Sequence, residues 1–162
     1  MKRAILRQLA MAAALAVLTA TQTPQIPYRP KFPGDPARSE AEASALGYMR
    51  TVLYAQRMYR QKKGGYAGSL YALVGSGSFT KRMTKTDRGD YLVSFGGGRS
   101  GFALLLTPKQ FDSTHRAFYT DASGVLRYED EKPATADSPV LKPEHPESEP
   151  AKPSSNDSAA PK

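Results

Sequence analysis

The 162-residue sequence contains no cysteine, no tryptophan and only two histidines. The absence of cysteine excludes disulfides, thiol nucleophiles, thiolate-bound metals and lipid-modified cysteine. The two histidines, His115 and His145, lie far apart in segments of very different composition, which gives little support to histidine-based catalysis or metal binding. We therefore expect a protein that has no catalytic residues, no cofactor, no metal and no small-molecule substrate.

Long apolar runs are also missing, apart from one at the start of the chain. A basic stretch, "MKRAILRQ", precedes the ten apolar residues Leu9–Leu18. This layout is typical of a secretory signal cleaved near Ala20, because a membrane-spanning helix needs about 20 apolar residues. An uncleaved short anchor is the alternative. The sequence thus predicts an exported protein, periplasmic or extracellular, with no stable transmembrane span after cleavage.

Proline is concentrated in two parts of the remaining chain. Residues 21–38 contain five prolines, which predict an extended linker because proline fixes φ and has no N–H donor. Residues 129–162 contain seven prolines among Glu, Asp, Lys, Ser and Ala. Such a composition buries too little apolar surface to offset the entropy cost of ordering, so this segment is predicted to be a disordered acidic tail. The folded domain is then predicted over residues 39–128.

The formal net charge of +8 is unevenly distributed. Residues 21–128 carry sixteen Lys and Arg against seven Asp and Glu, whereas residues 129–162 carry four against eight. A basic body followed by an acidic tail indicates either an anionic partner or a tail that shields the body.

A long helix is predicted at the start of the folded domain. Ser39 and Glu42 have the spacing of a capping box, and Gly64 is a natural C-cap. Between them, the bulky apolar residues recur at steps of three and four: Leu46, Met49, Val52, Leu53 and Met58. The pattern predicts one amphipathic helix of about six turns, whose apolar stripe must lie on a sheet.

Strand patterns fill the second half of the domain. After a short helix capped by Ser69 and a loop over residues 76–90, four strands are predicted at residues 91–95, 102–108, 116–120 and 125–128. A glycine-rich turn joins the first pair. Asp121 and Gly124 form the turn of the second pair, with Gly124 at positive φ and Thr120 paired with Val125. The predicted fold is α+β, with one long N-terminal amphipathic helix packed on a four-stranded antiparallel sheet of two hairpins.

Three stretches in this order carry a family resemblance: "EASALGYMRTVLYAQRMY", "GGYAGSLYALVG" and "AFYTDASGVLRYED". Together, over residues 39–141, they resemble the soluble headgroup of bacterial type IV pilins and of the pseudopilins of type II secretion. The usual prepilin processing site and N-terminal hydrophobic helix are missing. The resemblance implies a pilin-like fold and a non-enzymatic role through protein contacts, accessory to a pilus or secretion system; it does not imply a filament subunit.

Other motifs are better explained by local structure than by catalysis or ligand binding. Asp121, Ser123 and His115 are the residue types of a hydrolytic triad, but the first two suit a turn that hydrogen-bonds its own backbone. Asp87 and Asp90 provide too few oxygens for calcium. The glycine-rich residues 94–101 lack the Lys-Ser/Thr of a phosphate-binding loop.

Cations form the most distinctive chemical feature of the sequence. One group ends the long helix and a second populates the following loop, with Tyr59 and Tyr66 interleaved among these cations. Cations with interleaved aromatic residues can follow an anionic polymer, DNA or polysaccharide, although a solvated surface is the simpler explanation. The candidate anion-binding residues are Arg57, Arg60, Lys62, Lys63, Lys81, Arg82, Lys85 and Arg88.

Overall fold

A computed structural model describes residues 28–143, in which one α-helix packs on a five-stranded antiparallel sheet. The predicted signal segment, its cleavage position near Ala20, the first part of the predicted linker and residues 144–162 lie outside the described residues. Buried side chains of the helix and of one sheet face form a single cluster that includes Leu46, Met49, Leu104 and Phe118.

Helix α1 spans Glu40–Lys63 and has the predicted caps. Ser39 Oγ accepts a hydrogen bond from Glu42 N at 3.1 Å. At the other end, Gly64 adopts φ 69° and donates its N–H to Arg60 O at 2.9 Å. The second bond of the predicted capping box is not formed, because the Glu42 carboxylate accepts from Arg38 N at 2.8 Å instead.

The strands follow one another across the sheet in chain order: β1 Asp87–Arg88, β2 Tyr91–Gly98, β3 Gly101–Pro108, β4 Ala117–Asp121 and β5 Arg127–Glu129. The α+β class and the antiparallel sheet are confirmed, and the predicted count of four strands is wrong. The additional strand, β1, lies in the segment predicted as loop and pairs with Tyr91 and Leu92. Two residues are too few to show the alternation by which strands are detected in a sequence. Two short 3₁₀ helices, Tyr71–Leu73 and Lys81–Thr84, precede the sheet.

The first hairpin turns later than predicted. Gly98 pairs with Gly101, so only Arg99 and Ser100 form the turn and the preceding glycines belong to β2. Packing explains why residue 97 is glycine, since a Cβ there would lie 2.9 Å from Phe102 Cβ and 3.1 Å from Ala67 O. Gly97 therefore allows the chain at Ala67 to approach the strand closely, and it does not form the turn.

The second hairpin is confirmed in part. Gly124 adopts φ 75° and donates its N–H to Asp121 O at 3.0 Å, as predicted for the turn. The predicted pairing of Thr120 with Val125 is wrong, because the ladder of β4 and β5 begins at Tyr119 and Arg127. The loop before β5 is longer because Leu126 O accepts a hydrogen bond from the N–H of Leu141 at 2.9 Å.

Packed chain extends beyond both expected domain boundaries. After β5, Tyr128 N donates to Pro139 O at 3.0 Å, and Ala134 and Ser138 are buried. Before α1, Tyr28 donates its hydroxyl to Asp35 at 2.7 Å. We name residues 130–143 the closing segment. When the composition of the closing segment is averaged with that of residues 144–162, it is typical of a disordered tail. A few well-placed small and apolar side chains nevertheless suffice to pack the closing segment against β5.

A buried ion pair ties α1 to the sheet. Arg116, directly before β4, places Nη2 at 2.7 Å and Nε at 3.0 Å from the Glu42 carboxylate, and the Arg116 backbone N–H donates to the same group at 2.9 Å. The two side chains are only 4% and 0% exposed. The cost of desolvating two charges is high, so this arrangement is stable only while both partners are present.

Removing one partner of the pair should therefore destabilise the fold strongly. We expect Arg116→Met to lower the free energy of unfolding by about 3–5 kcal/mol, because it leaves the Glu42 carboxylate buried without its countercharge. Urea unfolding at neutral pH measures this change. The matched control is Lys31→Met, which breaks the exposed Lys31–Glu40 pair and should cost less than about 1 kcal/mol. Equal effects of the two substitutions would contradict the assigned role.

The two neighbouring glycines of β2 provide a second test. Gly97→Ala should destabilise by about 1–3 kcal/mol, because the new methyl group meets Phe102 and the Ala67 carbonyl. Gly98→Ala should change stability by less than about 0.5 kcal/mol, because nothing lies within 4 Å of a Cβ there. Thermal unfolding of the two variants compares them directly; equal losses would show that Gly97 has only a conformational role.

Candidate anion-binding site

The structure separates seven of the eight candidate cations into two groups at opposite ends of α1, and Lys81 belongs to neither group. Arg82, Lys85 and Arg88 border a groove beside the first turns of α1, and we name them the groove cations. The second group lies on the last turns of α1, about 24 Å away at 1.5 Å per residue, and we name its members the helix-end cations. They are Arg57, Arg60, Lys62 and Lys63. Lys81 begins the second 3₁₀ helix and is exposed, but it does not line the groove.

The groove has a volume of about 630 Å³ and lies between α1 and the segment from Arg82 to Tyr91. Small side chains of α1, Ala41, Ser44 and Ala45, form one wall. Their size keeps the space beside the helix open.

Three acidic residues also line the groove, and each has a partner other than a groove cation. Glu40 lies 2.6 Å from Lys31 Nζ, and Asp87 lies 2.8 Å from Lys109 Nζ. Asp90 lies 3.5 Å from Nε2 of His115. No ion pair within residues 28–143 therefore neutralises Arg82, Lys85 or Arg88.

Arg88 is held in place by an aromatic ring. Its guanidinium carbon lies 4.1 Å from the centre of the Tyr48 ring, within the range of a cation–π contact. The Tyr48 hydroxyl donates to Met83 O at 3.0 Å, which fixes the ring. Burial raises the pKa of Tyr48 to about 12, so the phenol stays neutral at physiological pH. Arg88 thus presents its charge from a supported position.

The helix-end cations have a different environment. Arg60 Nη1 donates to the Tyr66 hydroxyl at 2.9 Å, and its guanidinium carbon lies 4.9 Å from the ring centre. Arg57 and Arg60 border a smaller pocket of about 280 Å³, which the turn residues Ser123 and Gly124 also line. Cations in the last turn of a helix interact favourably with its dipole, which gives Arg60, Lys62 and Lys63 a structural explanation.

The residue types of a hydrolytic triad are not brought together. Asp121 Oδ1 accepts from Ser123 N at 2.8 Å, and Ser123 Oγ accepts from Val125 N at 3.2 Å, so both side chains serve the turn. His115 lies before the opposite end of β4, about 17 Å or more away at the rise of a strand. In the part of the chain that the structure describes, no three His, Cys, Asp or Glu side chains are placed to hold a metal ion.

His115 instead belongs to a small polar cluster next to the groove. Its Nδ1 lies 2.9 Å from Asp112, which also accepts from the Thr114 hydroxyl at 2.7 Å. The hydrogen bond from Thr114, with a further contribution from His115, lowers the pKa of Asp112 to about 2. The cluster fixes the loop before β4 and orients the ring that faces Asp90.

Comparisons with known proteins identify no relative: no family model, no curated protein and no solved structure matches the chain. Among residues 28–143, no helix is long and apolar enough to cross a membrane.

Two interactions that stabilise this region were not predicted from the sequence. Glu42 interrupts the apolar stripe of α1, since it stands four residues before Leu46 and seven before Met49. A carboxylate on that face predicts a buried cationic partner, and this signal was present in the sequence. The stacking of Arg88 on Tyr48 left no such signal, because it joins distant parts of the chain.

The Asp112 cluster predicts a definite pH dependence. A carboxyl group whose pKa is lower in the folded state stabilises the fold above its unfolded pKa of about 4. That contribution should disappear as the pH falls from about 4 to about 2. The difference in unfolding free energy between the wild type and Asp112→Asn should therefore shrink across this window, as measured by urea unfolding. Thr114→Val should raise the pKa of Asp112 in an NMR titration; an unchanged pKa would contradict the assigned cause.

Proposed function

We propose that this chain is an exported, non-enzymatic, pilin-like domain that acts through protein contacts, as an accessory component of a type IV pilus or a type II secretion-type system. The observation that carries the proposal is the order of its elements. A helix of 24 residues packs on one face of an antiparallel meander, and the closing segment follows the last strand. This succession matches the three stretches in which the sequence resembles pilin headgroups.

The start of α1 supports an accessory role rather than a filament core. Ser39 is extended, with φ −151° and ψ 166°, so the helix does not continue into the preceding residues. The chain before it packs on the domain, since Ala37 belongs to the buried core cluster, Tyr28 packs against that cluster, and Lys31 bonds to Glu40. An uninterrupted helix of the kind that holds pilins in a filament therefore does not enter this domain at Glu40.

The use of the polar groups supports a non-enzymatic role. Asp121 and Ser123 are committed to a turn, and Asp112 and Thr114 are hydrogen-bonded to each other and to His115. A nucleophile needs an adjacent base that a third group orients. Ser123, the hydroxyl that the sequence singled out, does not meet this requirement, because its Oγ accepts from Val125 N within the turn.

Exposed aromatic side chains provide a surface for protein contacts. Tyr54 is 47% exposed on the outward side of α1, and Tyr71, in the first 3₁₀ helix, is 69% exposed. Tyrosine is enriched among the residues that contribute most to binding between proteins, because it offers a large rigid area and a polar tip.

This surface gives the test of the proposal. In the host cell, the tagged full chain should be exported and should crosslink to identified pilus or secretion components, and its deletion should reduce pilus assembly or secretion. Tyr54→Ser with Tyr71→Ser should lower recovery of these components by about tenfold or more, since an interface tyrosine contributes about 1–2 kcal/mol.

Gln61→Ser is the matched control, because Gln61 is an exposed polar residue of the same helix. Circular dichroism and the thermal midpoint establish that both variants remain folded. The proposal fails if the chain stays in the cytoplasm, or if its deletion leaves pilus assembly and secretion unchanged. It also fails if the purified protein has a hydrolase activity that Asp121→Ala removes.

A further inference from the structure

The groove beside the first turns of α1 is a concave surface of the described chain that three cations line without forming an ion pair with an acidic residue. Arg82, Lys85 and Arg88 line it, and the acidic residues at its border face Lys31, Lys109 and His115 instead. With Lys31 and Lys109, which pair with Glu40 and Asp87, the groove and its border hold five cations against three carboxylates, and this positive excess favours an anionic ligand.

We propose that this groove is a binding site for an oligoanion, a ligand that carries two or more linked phosphate or carboxylate groups. The two arginines present planar guanidinium groups, which bind the paired oxygens of phosphate or carboxylate with two parallel hydrogen bonds. Lys85, which lies between the two arginines in the sequence, adds a third positive charge on a flexible side chain. The proposal is independent of the pilin-like function, since a protein-contact domain needs no anion site.

The number of cations in the groove favours a ligand that carries several negative groups. One exposed ion pair contributes only about 0–1 kcal/mol, so a single anionic group would bind very weakly. Three cations around one groove can act together on linked anionic groups, because the translational entropy of association is lost only once. The volume of about 630 Å³ also exceeds what a single phosphate fills.

Arg88 adds preorganisation to the site. Its guanidinium already rests 4.1 Å from the Tyr48 ring centre, so little side-chain entropy is lost when a ligand binds. Gly89, at φ 64°, turns the chain immediately after it. A cation on an unsupported side chain would lose more of its favourable interaction to ordering.

Two sources can supply such anions. One is a separate molecule. The other is this chain, in which three glutamates, Glu144, Glu147 and Glu149, directly follow the closing segment. Pro143 lines a pocket together with Pro36 and Arg38, close in sequence to Glu40 and Ala41 of the groove. Both sources present linked oxyanions, and the experiment distinguishes them.

The test is calorimetric titration of the full chain with inorganic tripolyphosphate at about 50 mM and about 150 mM salt. Arg82→Gln with Lys85→Gln should weaken binding at least tenfold, and adding Arg88→Gln should weaken it further. The matched control, Lys62→Gln with Lys63→Gln, removes the same charge from the helix-end cations and should change affinity less than about twofold. The double variant spares Arg88 and its contact with Tyr48, so a folding defect does not obscure the result.

A third variant, with Glu144, Glu147 and Glu149 each changed to Gln, identifies the source. Several-fold tighter tripolyphosphate binding by this variant supports the site and shows that the chain's own carboxylates occupy it. Unchanged tight binding supports the site with a separate molecule as its ligand. Equal losses in the groove and control variants, or no binding at about 50 mM salt by either the wild type or the glutamine variant, would overturn the proposal.

Discussion

The ion pair of Glu42 and Arg116 is the interaction on which the position of α1 depends. Two residues separated by 74 positions meet in a site where the carboxylate is inaccessible to solvent. The carboxylate receives N–H donors from the Arg116 side chain and backbone and from the backbone of Arg38, so its lone pairs are satisfied by geometry that only the folded chain provides. Apolar packing holds α1 on the sheet, but it is compatible with small shifts along the helix axis. The buried pair permits one position, and this position sets the distance between the first turn of α1 and the groove cations.

The two flanks of the domain reinforce the same region. Arg38 and Asp130, from the flank before α1 and the flank after β5, meet at 2.6 Å. Farther along the closing segment, Ser138 O accepts from Arg127 at 2.7 Å, and its Oγ donates to Glu129 at 2.8 Å. These bonds cover the open edge of β5, which would otherwise offer unpaired backbone groups to other chains. The flanks, whose composition favours disorder, thus protect the sheet and support the start of α1.

The sequence predicts well those structural features that depend only on residues close together in the chain. The caps of α1 and the left-handed Gly124 were predictable because each rests on contacts within a few positions. The two-residue strand β1 was not predictable, because it exists only through its pairing with Tyr91 and Leu92. The candidate site divides in the same way. The cations themselves were evident in the sequence. Their separation into two groups was not, because it depends on where the loop before β1 meets α1 in the tertiary structure.

That separation also decides which cations need a functional explanation. Three of the helix-end cations, Arg60, Lys62 and Lys63, lie in the last turn of α1, where the helix dipole favours positive charge, and Arg60 is engaged with Tyr66. Helix stability accounts for the presence of these three residues. Arg82 lies in a four-residue 3₁₀ helix, Lys85 follows that helix and Arg88 lies on a two-residue strand, so no helix dipole of appreciable size favours these cations. The acidic side chains nearest to them face other partners. Three carboxylates line the same surface but have other partners, so a ligand with linked negative groups would give Arg82, Lys85 and Arg88 the counterions that they lack. The asymmetry between the two groups is therefore the physical argument for locating anion binding at the start of α1 rather than along its whole length.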